Sequence, residues 1–184
     1  MTVDEFLVWA EGQPGRYELV DGEVFGMSPE RVRHAEVKAS AYLALRSALG
    51  RTTLPCRALP DGMSVRIDHT TVFEPDALVY CGPRANPDAI EITDPIIVVE
   101  VLSPSTAAVD SGRKFAGYFA LMSMRHYLII DPMKRLVIHH RRGADGLIVS
   151  RIATDSTLDL TPPGLTLPVA ELFADLPPPA DPAA

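Results

Sequence analysis

The chain has 184 residues, 47% of them hydrophobic and 22% charged, with 17 Lys and Arg against 24 Asp and Glu for a net charge of −7. That length suits one domain able to bury a full core, and the composition excludes a wholly disordered chain or a coiled coil. The acidic balance excludes tight, metal-free coating of nucleic acid, because neutralising phosphates takes clustered cations.

The N-terminus, MTVDEFLVWAEGQ, carries acids where a signal peptide would carry bases. No stretch reaches the roughly 18 apolar residues of a membrane span, so no membrane partner is expected. The two cysteines, Cys56 and Cys81, form no CxxC motif. Two ordinary buried thiols in a reducing cytoplasm are expected, with a disulfide as the alternative.

Val3 to Glu11 reads as a short helix. Arg16 to Met27 reads as a hairpin: YELV, the turn pair Asp21-Gly22, then EVFGM. Asp-Gly marks a two-residue turn because both positions tolerate positive φ. Ser28 offers an N-cap oxygen, Pro29 suits the first helical position and Glu30 the positive helix end. The helix they open runs to about Leu49, before Gly50. Its apolar face is expected at Val32, Ala35, Ala39, Tyr42, Leu43 and Leu49. His34 and Lys38, four apart, share another face.

Short strand-like runs follow at 63–67 and 72–80, the second broken by Pro75 as at an edge or bulge. Residues 95–102, PIIVVEVL, are apolar on both faces and read as a central buried strand. A helix from about Asp110 to Met124 comes next, then strands at 126–130, 135–140 and 146–152. Helix, strands, helix, strands describes an α/β fold, a mixed β-sheet flanked by helices. Residues 1–175 form a single domain in this reading. Residues 176–184, LPPPADPAA, form a Pro/Ala-rich tail, disordered or polyproline-like.

Glu100 is the sharpest anomaly, a lone carboxylate inside IIVVEVL. Burying it is costly unless it is paired, for example with Arg113 or Arg125, or holds a metal. Asp76 follows Pro75 and precedes ALVY, as a turn Asp or as a second ligand. Neighbouring strands that each deliver one carboxylate can hold Mg²⁺, which keeps several waters and completes its shell with phosphate. Asp110, Lys114 and Tyr118 recur every four residues and lie on one helix face. That face is either a solvated stripe or a cation beside the metal. Val137 to Arg142, with His139 and His140 pointing to opposite faces, reads as an exposed edge strand. His69 and His126 have no ligand-like companions.

Taken in order, Pro75-Asp76, the run Ile96 to Thr106 around Glu100, and Asp110, Lys114 and Tyr118 resemble the Uma-type family of restriction endonuclease-like proteins. That family is a branch of the PD-(D/E)XK nuclease superfamily. Tyr17 to Glu23, Met27-Ser28-Pro29 before His34, Tyr127 to Pro132, and Pro163 to Leu167 before Leu172-Phe173 extend the match over about residues 15–174. The resemblance implies a restriction endonuclease-like core and metal-dependent hydrolysis of DNA phosphodiesters.

By position, Asp76 and Glu100 would ligate Mg²⁺ or Mn²⁺, assisted by the Val101 carbonyl. The superfamily lysine usually sits two residues after the acid, where this chain has Leu102. The family pattern moves it to the following helix, which makes it Lys114, oriented by Asp110. Glu18 and His34 would stand behind the metal or on the phosphate. The resemblance also implies a homodimer. Ser123-Met124 and Tyr127-Leu128 replace the family's usual Gly-Val and Tyr-Trp pairs.

Charge is unevenly spread: residues 113–151 hold eight Lys and Arg against two Asp, a basic block that blunts the acidic total as an argument against DNA. A non-catalytic nuclease-fold protein that binds DNA or a partner protein is the main alternative. Hydrolysis of a smaller phosphodiester is a third.

Overall fold

Thr2 opens helix α1 (Val3–Glu11) with a complete capping box: its hydroxyl accepts from the Glu5 N–H, and the Glu5 carboxylate accepts from the Thr2 N–H. The hairpin follows as expected, with β1 (Tyr17–Val20) and β2 (Glu23–Gly26) joined by Asp21 and Gly22 at φ of 52° and 82°. The structure, a computed structural model, describes residues 1–103 and 111–177. Its later elements are helix α2 (Val32–Gly50) and strands β3 (Cys56–Pro60), β4 (Ser64–Arg66), β5 (Val72–Phe73), β6 (Ala77–Cys81), β7 (Glu91–Ile92) and β8 (Pro95–Val101). Then come α3 (Ser111–Ala120), β9 (His126–Asp131), β10 (Leu136–Arg142), β11 (Ile148–Ala153), β12 (Thr157–Leu160), β13 (Leu165–Pro168) and a 3₁₀ turn at Val169–Phe173.

Among the described residues three sheets form, in the orders β2-β1-β5-β4-β7, β11-β10-β9-β8-β6-β3 and β12-β13. In the six-stranded sheet β8 and β9 run parallel and the other pairs antiparallel, which makes it mixed. β8 is central, flanked by β6 and β9, and its apolar residues alternate between two cores. Ile97, Val99 and Val101 face α2, β12 and β13; Val98 faces Tyr118 and Phe119 of α3. A third core joins Val3 and Phe6 of α1 to Leu19 and Val72. Among the described residues no helix is long and apolar enough to cross a membrane.

The structure revises several expectations. Helix α2 begins at Val32 with Arg31 as an N-cap that makes no side-chain capping bond; Ser28, Pro29 and Glu30 lie outside it. Glu30 still meets the helix through the side chains of His34 and Lys38. The buried stripe of α2 is Val37, Ala41, Ala44, Leu45, Ala48 and, as expected, Leu49, whereas Val32 is 74% and Leu43 55% exposed. Spacings of three, four and seven set that face, and small alanines let the helix lie close on the sheet. Lys38 falls on the edge of it and is buried.

Cys56 and Cys81 form a disulfide, against the expectation of two thiols. β3, which the sequence does not announce, pairs antiparallel with β6 and sets the two residues directly opposite each other with Cα atoms 3.9 Å apart. β10 is not an edge strand either: β11 covers it, and His139 is 3% exposed. His126 has a companion after all, His139. Leu176, assigned by sequence to the tail, is buried in the main core, while residues 178–184 lie outside the described residues.

Candidate active site

β8 carries Glu100 to one end of the six-stranded sheet. Pro75 breaks the chain between β5 and β6, so Asp76 stands just ahead of β6, its N–H donating to the Val99 carbonyl at 3.0 Å. That bond places the Asp76 carboxylate beside the end of β8. Its Oδ2 accepts the Val101 N–H at 2.6 Å. Asp76 is 5% exposed and Lys114 7%.

Helix α3 approaches from one side. Lys114 Nζ donates to Glu100 Oε1 and Oε2 at 3.1 and 3.2 Å and to Glu18 Oε1 at 2.8 Å. One turn on, the Tyr118 hydroxyl donates to Glu100 Oε1 at 2.7 Å. Glu18, on β1, also accepts the Glu74 N–H at 2.8 Å. The four-residue spacing of Lys114 and Tyr118 therefore points into the site and is not a solvated stripe. Arg113 and Arg125, the partners suggested for Glu100 by sequence, are not among those that meet it.

Helix α2 approaches from the other side. His34 Nε2 lies 2.8 Å from the Val101 carbonyl and 3.9 Å from Asp76 Oδ2, while Nδ1 lies 2.7 Å from Glu30 Oε2. Lys38 Nζ lies 3.3 Å from Asp76 Oδ1, 2.6 Å from Asp61 and 3.3 Å from Glu30. Arg16 closes the outer ring through Asp61 and Glu74.

Asp76, Glu100, Val101, Lys114, Glu18 and His34 thus meet at one place. Asp110 lies outside the described residues. The sequence reading missed Lys38 and Tyr118 as members of the site. A lysine four residues after His34, on the margin of an apolar helix stripe, was the available signal for the first. The i, i+4 step from Lys114 was the signal for the second.

Electrostatics set the character of the site. Burial pushes the Glu100 carboxyl up to about 8; Lys114 opposes the shift, while Asp76 and Glu18 reinforce it. Burial also drives the Tyr118 phenol well above its usual value, so it stays a donor. Burial works against the Lys38 ammonium, but Asp61 and Asp76 outweigh it and its pKa is raised. Two carboxylates on adjacent strands that repel one another in a buried site are what a cation relieves. Their donors are hard oxygens, with a backbone carbonyl at hand, which fits a divalent ion of the Mg²⁺ type. Among the described residues no group of three or more His, Cys, Asp or Glu side chains is arranged to hold a metal ion.

Known proteins resemble this chain along nearly all of its length. The family described as "Uma2: Putative restriction endonuclease" matches residues 3–170. An uncharacterized Synechocystis protein, slr1290, is 29% identical over 187 residues, covering 96% of this chain and 93% of that protein. A second uncharacterized Synechocystis protein, sll1609, is 24% identical over 148 residues, covering 79% and 82%. In three dimensions the chain resembles the crystal structure of "a putative nuclease belonging to DUF820" from Anabaena variabilis, with a TM-score of 0.71 at 17% identity over 95% of this chain and 98% of that one. That likeness shows the restriction endonuclease-like α/β fold.

Proposed function

The chain belongs to the Uma2 family, and from that premise we propose that it is a Mg²⁺- or Mn²⁺-dependent endonuclease that hydrolyses DNA phosphodiester bonds. The observation that carries this reading is a half-buried carboxyl, Glu100, held at the end of a central strand beside buried Asp76 and in contact with buried Lys114.

Asp76 and Glu100, with the Val101 carbonyl, would hold the ion. Such an ion, when bound, polarises a phosphoryl oxygen and lowers the pKa of a bound water. Lys114 orients the attacking water and faces the negative charge that develops on the phosphate. Glu18 keeps its ammonium in place, a duty that the family resemblance also gives to Asp110. Tyr118 fixes the rotamer of Glu100 by donating to Oε1. His34, bridged between Glu30 and the Val101 carbonyl, stands where it can contact a phosphate oxygen or pass a proton. Two copies of the chain would offer one site to each DNA strand.

Plasmid nicking with Mg²⁺ or Mn²⁺ tests the reading, with Asp76→Asn and Lys114→Ala beside the wild type. Cleavage that needs the ion and both residues supports it. Equal cleavage by either variant would place the site elsewhere.

One observation favours the second reading, a non-catalytic nuclease-fold protein that binds DNA or a partner. Asp76 and Glu100 each already have an ammonium partner, Lys38 and Lys114. Calorimetric titration with Mn²⁺ separates the two: heat that disappears in Asp76→Asn supports the nuclease, and no heat from the folded wild type supports the binder.

A further inference from the structure

Two lysines stand at the candidate site, and they are held in different ways. Lys114 Nζ meets both oxygens of Glu100 and one of Glu18. Lys38 Nζ lies 2.6 Å from Asp61 Oδ2, 3.3 Å from Glu30 Oε2 and 3.3 Å from Asp76 Oδ1. An ammonium has three hydrogens, so it can serve three carboxylates at once. Its three partners are unequal, however. Asp61 is the near one and is itself fixed by Arg16 Nη1 at 2.7 Å, whereas Asp76 stands at the long end of hydrogen-bond range.

The two oxygens of Asp76 also differ. Oδ2 accepts the Val101 N–H at 2.6 Å, which fixes the carboxylate against the end of β8. Oδ1 faces the Lys38 ammonium instead. Oδ1 is therefore the oxygen better placed for a cation, and a cation already stands on it. Lys38 is 7% exposed and Asp76 5%, so neither charge can be left there alone without cost.

In the metal-free chain the ammonium supplies the counter-charge. Once Asp76 holds a divalent ion, the same ammonium is a like charge in a poorly screened place. The side chain has a way out. Glu30 and Asp61, its other partners, lie towards solvent, with side chains 37% and 34% exposed. The flexible four-carbon stem of a lysine can follow them, as a planar guanidinium fork held at fixed angles cannot.

We infer that Lys38 is a positioning residue that holds the ion's place on Asp76 while no metal is bound and withdraws to Asp61 and Glu30 when a divalent ion arrives, so that its ammonium sets how tightly the ion is held. This rests on the nuclease reading for the ion at Asp76. It also gives a role to the ammonium on Asp76 that otherwise favours a non-catalytic protein.

The test takes the full chain, stripped of metal, and titrates Mn²⁺ calorimetrically into the wild type, Lys38→Met and Lys38→Arg. Methionine keeps an unbranched stem and removes the charge; arginine keeps the charge. Lys38→Met is expected to bind Mn²⁺ about tenfold or more tightly than the wild type, because one unit of like charge beside a divalent ion is gone. Lys38→Arg should bind it no more tightly than the wild type. A lysine that only props up the fold would lower the melting temperature in both variants and tighten the metal in neither.

The wild type reports the withdrawal directly, whatever Lys38→Met does to folding. The chain has three lysines, Lys38, Lys114 and Lys134, so NMR of a sample labelled in lysine alone resolves each side chain. The Lys38 signal, identified by its loss in Lys38→Arg, should move on addition of Mg²⁺ and stay put in Asp76→Asn. Mn²⁺ binding by the wild type that Lys38→Met does not tighten, tightening that Lys38→Arg shares, or a Lys38 signal that holds still at saturating Mg²⁺ overturns this inference and leaves the nuclease reading standing. No Mn²⁺ binding by either the wild type or Lys38→Met overturns both.

Discussion

At the Glu100 end of the six-stranded sheet, carboxylates and ammonium groups are buried together; at the His126 end, two imidazoles are buried beside arginines. Both sets are shielded from water, yet burial does opposite things to them. It raises the Glu100 carboxyl to about 8 and lowers His126 and His139 to about 4 and 3. The carboxyl end carries mutual repulsion that a cation would relieve, whereas the histidine end is stable as long as it is neutral. Burial of an ionisable group alone does not mark a site for chemistry. What separates these two regions is the groups buried there, carboxylates with hard oxygens in one and neutral imidazoles beside guanidinium groups in the other.

The comparison breaks most visibly by mutation at the carboxyl end. Asp76→Asn and Lys114→Ala are each expected to lower the nicking rate by about 100-fold or more, and Lys114→Arg should not restore it, because a planar fork does not replace a compact ammonium. Initial rates of plasmid relaxation at saturating Mn²⁺ check this.

Next comes the pH dependence of stability, where the two ends carry opposite signs. The folded chain holds the Glu100 proton up to about pH 8, whereas the unfolded chain releases it near 4.5. Stability of the metal-free protein is therefore lost from this group as pH rises between those values. Glu100→Gln should then flatten that alkaline fall in stability while abolishing cleavage. Denaturant unfolding of both proteins measures it.

The histidines act in the other direction. Their folded values lie below the ordinary 6.5, so the unfolded chain takes up protons first and stability falls as pH drops from about 6.5 towards 4. A loss of about 1–3 kcal/mol by pH 4.5 is expected from the pair. Replacing both with Phe should flatten that limb of a Tm-against-pH curve.

A smaller effect sharpens the packing behind Lys114. A Cβ at Gly117 would stand 2.7 Å from Phe73 Cε2. Phe73 is buried edge-on against Tyr118, with ring centroids 5.3 Å apart, and lies under the Lys114 ammonium. It has little room to yield, so Gly117→Ala should cost about 1–2 kcal/mol even after the gain in helix propensity. Thermal unfolding checks it.

Features encoded locally were legible in the sequence. Asp21-Gly22 specified the hairpin through positive φ at both positions, and the apolar run around Glu100 specified a central strand. Glu100 stood out because its neighbours exclude a solvent-facing position. Features that depend on distant pairing were not legible. β3 is CRALP, with no alternation to betray it, and it acquires its meaning only from β6, which also makes the disulfide. β10 looks like an edge strand because His140, Arg141 and Arg142 are polar, but β11 hydrogen-bonds along it. Lys38 was hidden because its partners, Asp61 and Asp76, come from loops far along the chain. The face of α2 was legible only at Leu49: Val32 and Leu43 are apolar yet point to solvent, while Val37, Leu45 and small alanines do the packing.

Anomalous diffraction at the manganese edge, from crystals grown with Mn²⁺, bears most directly on the ion at Asp76 and Glu100. The expected result is a peak about 2.0–2.3 Å from an oxygen of each carboxylate, absent in crystals of Asp76→Asn. A fully soaked crystal with no peak between the two carboxylates, from protein that still nicks DNA, would contradict it.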